Sequence, residues 1–274
     1  MPEQSSILRR FVLHFAKRRI AGTTVSSALR AVKRLNEHKL HATVTFLSDV
    51  GSNAGKARYN VNAYAQLIRQ ISRLRLNADV SLRPAQIGEP NGSSNHSRGL
   101  GSIVDIARKN GVLVWLESES PDDVDNIAGV LRGNAGLLPN IGVEIPVQRC
   151  RGFDADALRG VDSIRLTSYG HGQQPATVRD YSFGINSLGR GKRITVLESD
   201  SKLIQSIARS KLGMRRGMTF EVPFGYSNRR LKRLMKLGRS TSVYVPYGKD
   251  WMRYAVERIV DGAAESGAGD DGER

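Results

Sequence analysis

Cysteine is almost missing from this chain: Cys150 is the only one in 274 residues. A single thiol excludes an intramolecular disulfide and any all-cysteine metal site, and it fits a reducing compartment. No Cys-His signature surrounds it, so it reads as a buried structural thiol rather than a nucleophile. Histidine is also scarce. His14, His38, His41, His96 and His171 show no ligand spacing, so no metal site is expected. No apolar run is long enough to span a bilayer. His14, Lys17 and Arg18 interrupt the basic N-terminal segment, so no signal peptide is expected there. Zinc-finger spacing and an RNP-type strand are both absent. No Gly-rich dinucleotide fingerprint follows the first strand pattern, which argues against a doubly wound open sheet. The stretch 184–192 (GINSLGRGK) is similar to a phosphate loop but lacks the Walker spacing and the Ser/Thr after the lysine. It reads as a helix-to-strand turn.

Acidic residues are outnumbered. Forty-two Lys and Arg face 26 Asp and Glu, a formal charge of +16. An anionic partner follows: phosphates, a carboxylate substrate or an acidic membrane surface. The basic residues, Arg9, Arg10, Lys17, Arg18, Arg19, Arg215, Arg216, Arg229 and Arg230 among them, are spread along the chain with no recognition module around them. No specific nucleic-acid partner is therefore expected. Binding through the basic lead-in is a rival that predicts strongly salt-dependent retention on DNA or RNA.

Strand and helix patterns alternate from about residue 40. Strands are predicted at 40–47, 78–82, 112–117, 141–145, 163–167, 193–197, 218–222 and 241–245. Helices are predicted at 59–74, 102–110, 122–132, 202–210 and 228–237. About eight strand–helix units over roughly 220 residues match a (β/α)8 TIM-type barrel in the α/β class. Residues 1–35 read as a basic helical lead-in, 36–261 as the barrel, and 262–274 as a disordered tail. Chemistry in such barrels gathers at the carboxyl ends of the strands.

The last segment, SVYVPYGKDWMRYAVERI from Ser242, reads as a strand, a Pro-Tyr-Gly turn and an amphipathic helix. Pro246 and Gly248 end the strand, and Asp250 is the N-cap. Tyr254 and Arg258 lie four residues apart on one helix face. An aromatic platform beside an arginine suits a small carboxylate ligand with an apolar body.

That segment, together with RIAGTTVSSALRAVKRLNEHKLHATVTFLSD from Arg19, ADVSLRPAQIG and IRLTSYG, resembles the proline dehydrogenase family, flavoenzymes built on a (β/α)8 barrel. The order is the same, and most of the patterned chain is covered. The resemblance implies bound FAD and oxidation of proline or a related cyclic imino acid. Hydride leaves the ring carbon next to nitrogen for flavin N5, giving a cyclic imine of the 1-pyrroline-5-carboxylate type. Electrons then pass to a membrane quinone. A cytoplasmic protein docked peripherally on the inner face of the membrane would fit.

The resemblance also implies roles. Tyr244 matches the tyrosine that packs on the substrate ring, and Tyr254 matches the helix tyrosine. Arg258 matches the second arginine of a pair that grips the substrate carboxylate; the first is Glu257 here. Arg83 and Glu117 stand for a lysine–aspartate pair on strands two and three. For the cofactor, Arg165 matches an arginine near the flavin N5 edge, and Ser168 stands where a lysine is usual. The flavin-contacting glutamine of strand four falls on Pro146, with Gln148 two residues on. The threonine–histidine step after strand six reads Glu198–Ser199. These replacements leave a second reading open: a barrel that has lost flavin chemistry and serves as a binding or regulatory protein.

Overall fold

Branched apolar residues occupy alternate positions in each strand pattern, and the period of two sends them all to one side. The computed structural model describes residues 18–48, 53–88, 94–118, 121–133, 135–168, 175–226, 228–252 and 254. Its strands are β1 (His41–Phe46), β2 (Ala78–Leu82), β3 (Val114–Leu116), β4 (Ile141–Pro146), β5 (Ser163–Thr167), β6 (Arg193–Leu197), β7 (Met218–Pro223) and β8 (Ser240–Tyr247). They pair in chain order, all parallel, and β8 closes onto β1 with Thr43 opposite Tyr244. Val44, Val80, Val114, Val143, Ile164, Val196, Phe220 and Val243 point outward into the core between strands and helices. The intervening positions point into the barrel. There the residues are Thr43, Ser81, Trp115, Glu144, Arg165, Thr195, Glu221 and Ser242, all buried.

Helices α1 (Val25–Glu37), α2 (Ala54–Arg73), α3 (Ser94–Lys109), α4 (Pro121–Gly133), α5 (Val178–Leu188), α6 (Ser201–Arg209) and α7 (Asn228–Lys236) surround the strands. Thr24 starts α1 through a capping box: Ser27 N donates to Thr24 Oγ1 and Thr24 N to Ser27 Oγ, both at 3.2 Å. Ala28, Leu29, Ala31 and Val32 are its buried face, and it packs against β1 and β8. That is the wall position an eighth barrel helix would take. Past β8, the Tyr254 ring lies 6.4 Å from that of Tyr244. Among the described residues, no helix is long and apolar enough to cross a membrane.

Several boundaries differ from expectation, each for a local reason. α1 runs two residues past the predicted limit of the lead-in. Its end is pinned by Asn36, whose side chain donates to Leu40 O and accepts from Asn77 N at 2.8 Å. α2 begins five residues early because Asn53 caps it, accepting from Lys56 N at 2.9 Å. Its first turn is largely exposed, so it carries little apolar signal. α3 begins eight residues early, hidden by its glycines. A Cβ on Gly99 would lie 3.2 Å from Val61 Cγ2, so the glycine lets α2 and α3 approach. The predicted turn at 184–192 is half helix: α5 continues to Leu188. Gly184 is a packing position there, with Cys150 Sγ where a Cβ would have to fit. Burial pushes that thiol up to about 12, away from nucleophile chemistry. Pro246 stays inside β8 rather than ending it. It lies near the strand's carboxyl end, and its carbonyl accepts from Ala21 N at 2.8 Å.

Gly248 does end the strand. Its φ is +143°, and a Cβ there would sit 2.1 Å from Leu47 O. Gly248→Ala should cost about 3 kcal/mol in urea unfolding, from backbone strain and overpacking together. A variant as stable as the parent would show that this close approach is not maintained.

At the amino end of the strands, His41 Nε2 lies 3.4 Å from Asp79 Oδ2. Burial pushes the imidazole down, but the hydrogen bond and charge of Asp79, aided by Glu221, leave it raised. A raised histidine stabilises the fold fully below its unfolded value of about 6.5. That contribution is lost as pH rises through the folded value. The stability difference between the parent and His41→Gln should therefore be larger at mildly acid than at mildly alkaline pH. Equal differences in urea melts at the two pH values would contradict the pairing.

Candidate active site

Among the described residues Arg165 is one of the largest fully buried side chains, with no exposed surface. A cation there is costly unless paired. Its Nη1 donates to Glu144 Oε2 and to Ser81 Oγ, each at 3.1 Å. Its Nε lies 3.0 Å from Glu221 Oε2, an ion contact without hydrogen-bond alignment. Glu221 in turn accepts from Thr43 Oγ1 at 2.6 Å and Ser242 Oγ at 3.3 Å. The guanidinium stacks over Trp115, 4.6 Å from the ring centre, and lies 5.6 Å from that of Tyr244. Gly142 leaves room for the indole, since a Cβ would sit 2.4 Å from Trp115 Cε3. Burial opposes the charge on Arg165, but Glu221 and Glu144 outweigh it and hold the guanidinium above the ordinary arginine range.

One layer up, Tyr244 OH donates to Glu117 Oε1 at 2.7 Å, across the barrel from β8 to β3. Burial and the Glu117 charge raise the phenol, so it remains a donor. Arg83 and Glu117 follow adjacent strands, joined where Glu117 N donates to Leu82 O at 2.9 Å. Both are buried. Both act on the Tyr64 phenol, which burial raises first; Glu117 raises it further and Arg83 opposes. Gln86 fixes this corner. Its Nε2 donates to Phe46 O and Ser48 Oγ, and its Oε1 accepts from Tyr64 OH and Arg83 N.

Beside Tyr244 lies a small cleft lined by Thr167, Ser168, Leu197, Glu198, Ser199, Pro223 and Tyr244. Donors from four residues converge on Glu198. Its Oε2 accepts from Ser168 Oγ at 2.9 Å and Tyr181 OH at 2.8 Å; its Oε1 accepts from Ser199 N at 2.7 Å and Asp200 N at 3.0 Å. Asp200 then caps α6, accepting from Lys202 N and Leu203 N. Glu198 thus ties β5, β6, α5 and the start of α6 together.

Of the residues expected at the site, Tyr244, Ser168, Glu198 and Ser199 meet in this cleft. Glu117 adjoins it through the Tyr244 phenol, and Arg83 lies at the end of the neighbouring strand, its Nη2 toward Ser48 O. Tyr254 stands beside Tyr244, the two rings tilted by 33°. Arg165 lies a layer below and is not part of the cleft lining. Gln148 is half-buried on a 3-10 turn, Val147–Arg149, past the end of β4 and outside the lining. Arg258 and Glu257 lie outside the described residues. Trp115 and Glu144 were not among the expected residues. Their signal was the polar or aromatic residue at each inward phase of VWLE and IGVEI.

No family model matches the chain. It is 26% identical over 266 residues to proline dehydrogenase 1 of Bacillus subtilis strain 168, covering 92% of this chain and 88% of that protein. It is 23% identical over 282 residues to the proline dehydrogenase of Deinococcus radiodurans, covering 95% and 90%. Among solved structures, proline utilization A (PutA) of Bdellovibrio bacteriovorus, inactivated by N-propargylglycine, matches 94% of this chain with a TM-score of 0.73 at 15% identity. PutA of Bradyrhizobium japonicum matches 91% with a TM-score of 0.67 at 16% identity. This chain covers only 33% and 31% of those two PutA chains. The structural likeness establishes the shared barrel, and the sequence likeness runs through nearly the whole of it to proteins of one name. Across nine-tenths of its length this chain is similar in sequence to proteins named proline dehydrogenase.

Proposed function

We propose that this chain oxidises proline, or a closely related cyclic imino acid, to the cyclic imine, with FAD as hydride acceptor and a quinone as the final electron acceptor. The observation that carries the reading is similarity to named proline dehydrogenases over nine-tenths of the chain. The chemistry of the cleft lining, rather than its volume, suits a flavin ring. Leu197, Pro223 and Tyr244 offer apolar and aromatic surface, and Ser168 and Ser199 offer a polar edge. Arg165 Nη2, buried beneath, has no hydrogen-bond partner. Among the described lining residues there is no Lys or Arg for the diphosphate.

FAD, when bound, would take the hydride from the ring carbon beside nitrogen. The protein's task is then orientation and electrostatics. Tyr244, held by Glu117, would present its ring to the apolar body of the substrate, with Tyr254 closing the same side. Arg83 and Glu117 would frame the polar end, and Arg258 is the candidate for the carboxylate. Arg165 would act from below as a fixed positive charge, favouring negative charge on a ring above it.

The test is spectroscopic. Purified protein reconstituted with FAD should show flavin absorbance that bleaches with proline in the absence of oxygen. N-propargylglycine, the inactivator of the Bdellovibrio PutA, should bleach it irreversibly. A second reading has one observation in its favour: both Glu198 oxygens are already occupied by protein donors. Protein that stays colourless after reconstitution would favour that reading, a barrel kept for binding or regulation, and would overturn oxidation.

A further inference from the structure

Glu198 carries the only charge among the described residues that line the cleft. It is 4% exposed, and every group that holds it is neutral. Ser168 and Tyr181 offer hydroxyls, Ser199 its main-chain N–H and, at 3.5 Å, its hydroxyl, and Asp200 its main-chain N–H. Burial and the carboxylate beside it raise the Tyr181 phenol, so it stays a donor. Among the described residues no Lys or Arg pairs with Glu198. Arg165, one layer below, is committed to Glu144 and Glu221. Neutral donors make a buried carboxylate tolerable without cancelling its charge. The two N–H groups belong to the start of α6, whose dipole favours an anion at that end. The place where this cleft could receive an external anion is therefore filled by the chain's own carboxylate.

We propose that Glu198 is a charge filter for this cleft: it admits the uncharged part of a ligand and turns away phosphate groups. The inference rests on the proposed flavin site and deepens it. The ring and the sugar-alcohol chain of a flavin are uncharged and can use the cleft; the diphosphate of FAD lies outside it. An anion brought into the cleft meets a fixed negative charge and no cation, and the donors that could have solvated it are already engaged. The formal charge of +16 does not offset this. Surface cations act through water and are screened over about 8 Å at physiological salt, whereas Glu198 acts from the wall itself.

Glu198→Gln removes the charge and keeps the hydrogen bonds. Its amide oxygen can accept from Ser199 N and Asp200 N, and the Ser168 and Tyr181 hydroxyls can turn to accept from its amide nitrogen. Equilibrium dialysis of the full chain with riboflavin, FMN and FAD reads the filter, because the three share a ring and differ in phosphate. E198Q should tighten FMN and FAD by at least about tenfold and leave riboflavin within about twofold. D156N, which removes a charge from an exposed turn before β5, should change none of the three. A second probe needs no flavin. Millimolar pyrophosphate should raise the Tm of E198Q by a few degrees more than that of the parent. E198S, which vacates the donors altogether, should show a larger rise, and it decides the matter if E198Q folds poorly. An E198Q protein with the parent's ratio of FMN to riboflavin affinity would overturn the filter, as would a D156N protein that matches E198Q. If neither parent nor variant binds any flavin, the flavin reading falls. Equal pyrophosphate shifts would then overturn the filter too, whereas a larger shift in the variants would leave it standing.

Discussion

Arg165→Met should lower stability by about 3–5 kcal/mol, read as a fall in the urea midpoint at constant slope. The loss does not measure the strength of the ion pairs. Burying a guanidinium and two carboxylates costs most of what their attraction returns. Removing the cation alone strands Glu144 and Glu221, both buried, with Glu221 only 1% exposed. It also removes the group stacked on Trp115. Arg165→Met with Glu144→Gln and Glu221→Gln should therefore regain most of the stability. A glutamine at 221 can still accept from Thr43 and Ser242, and no uncompensated charge remains. Arg165→Lys, which keeps the charge but not the fork, should fall between the two. If the single and triple variants were equally unstable, the cost would lie in lost packing, and the electrostatic account of the barrel interior would fail.

This network also marks the limit of what the sequence disclosed. The fold was legible because eight strands repeat one pattern: 78–82, 163–167 and 193–197 end where expected. Helix starts were less legible. In α2 and α3 the first turns are polar or glycine-rich, and caps such as Asn53 act through a side-chain hydrogen bond that periodicity does not record. At the site, the resemblance aligned Arg165 with a flavin-edge arginine. Its partners come from β2, β4 and β7, and closure of the barrel alone brings them together. Glu198 shows the same limit. At its place the sequence records only a departure from a family motif, whereas the structure supplies donors from four residues for the carboxylate. Gln148 failed to reach the cleft because β4 ends at Pro146 and the chain tightens into a 3-10 turn.

Tyr244→Ala should reduce kcat/KM for proline by about thirtyfold, mostly through KM, if the phenol ring packs on the substrate. Burying an aromatic side chain contributes about 1.5–3 kcal/mol, and each 1.4 kcal/mol is tenfold. Tyr244→Phe keeps the ring and should stay within about threefold of the parent, because a neutral hydrogen bond is worth about 1 kcal/mol net. The pair separates packing from hydrogen bonding. If Phe were as damaging as Ala, the essential contact would be the 2.7 Å bond to Glu117, and the ring would be incidental. Glu117→Gln distinguishes these cases further. It can still accept from the phenol but removes a buried negative charge near Arg83 and Arg165. A loss of kcat with little change in KM would then assign Glu117 to the field around the reacting atoms rather than to holding Tyr244. A Tyr244→Ala enzyme with unchanged kcat/KM would remove the aromatic platform from the mechanism and leave Arg83, Glu117 and Arg258 to define the substrate site.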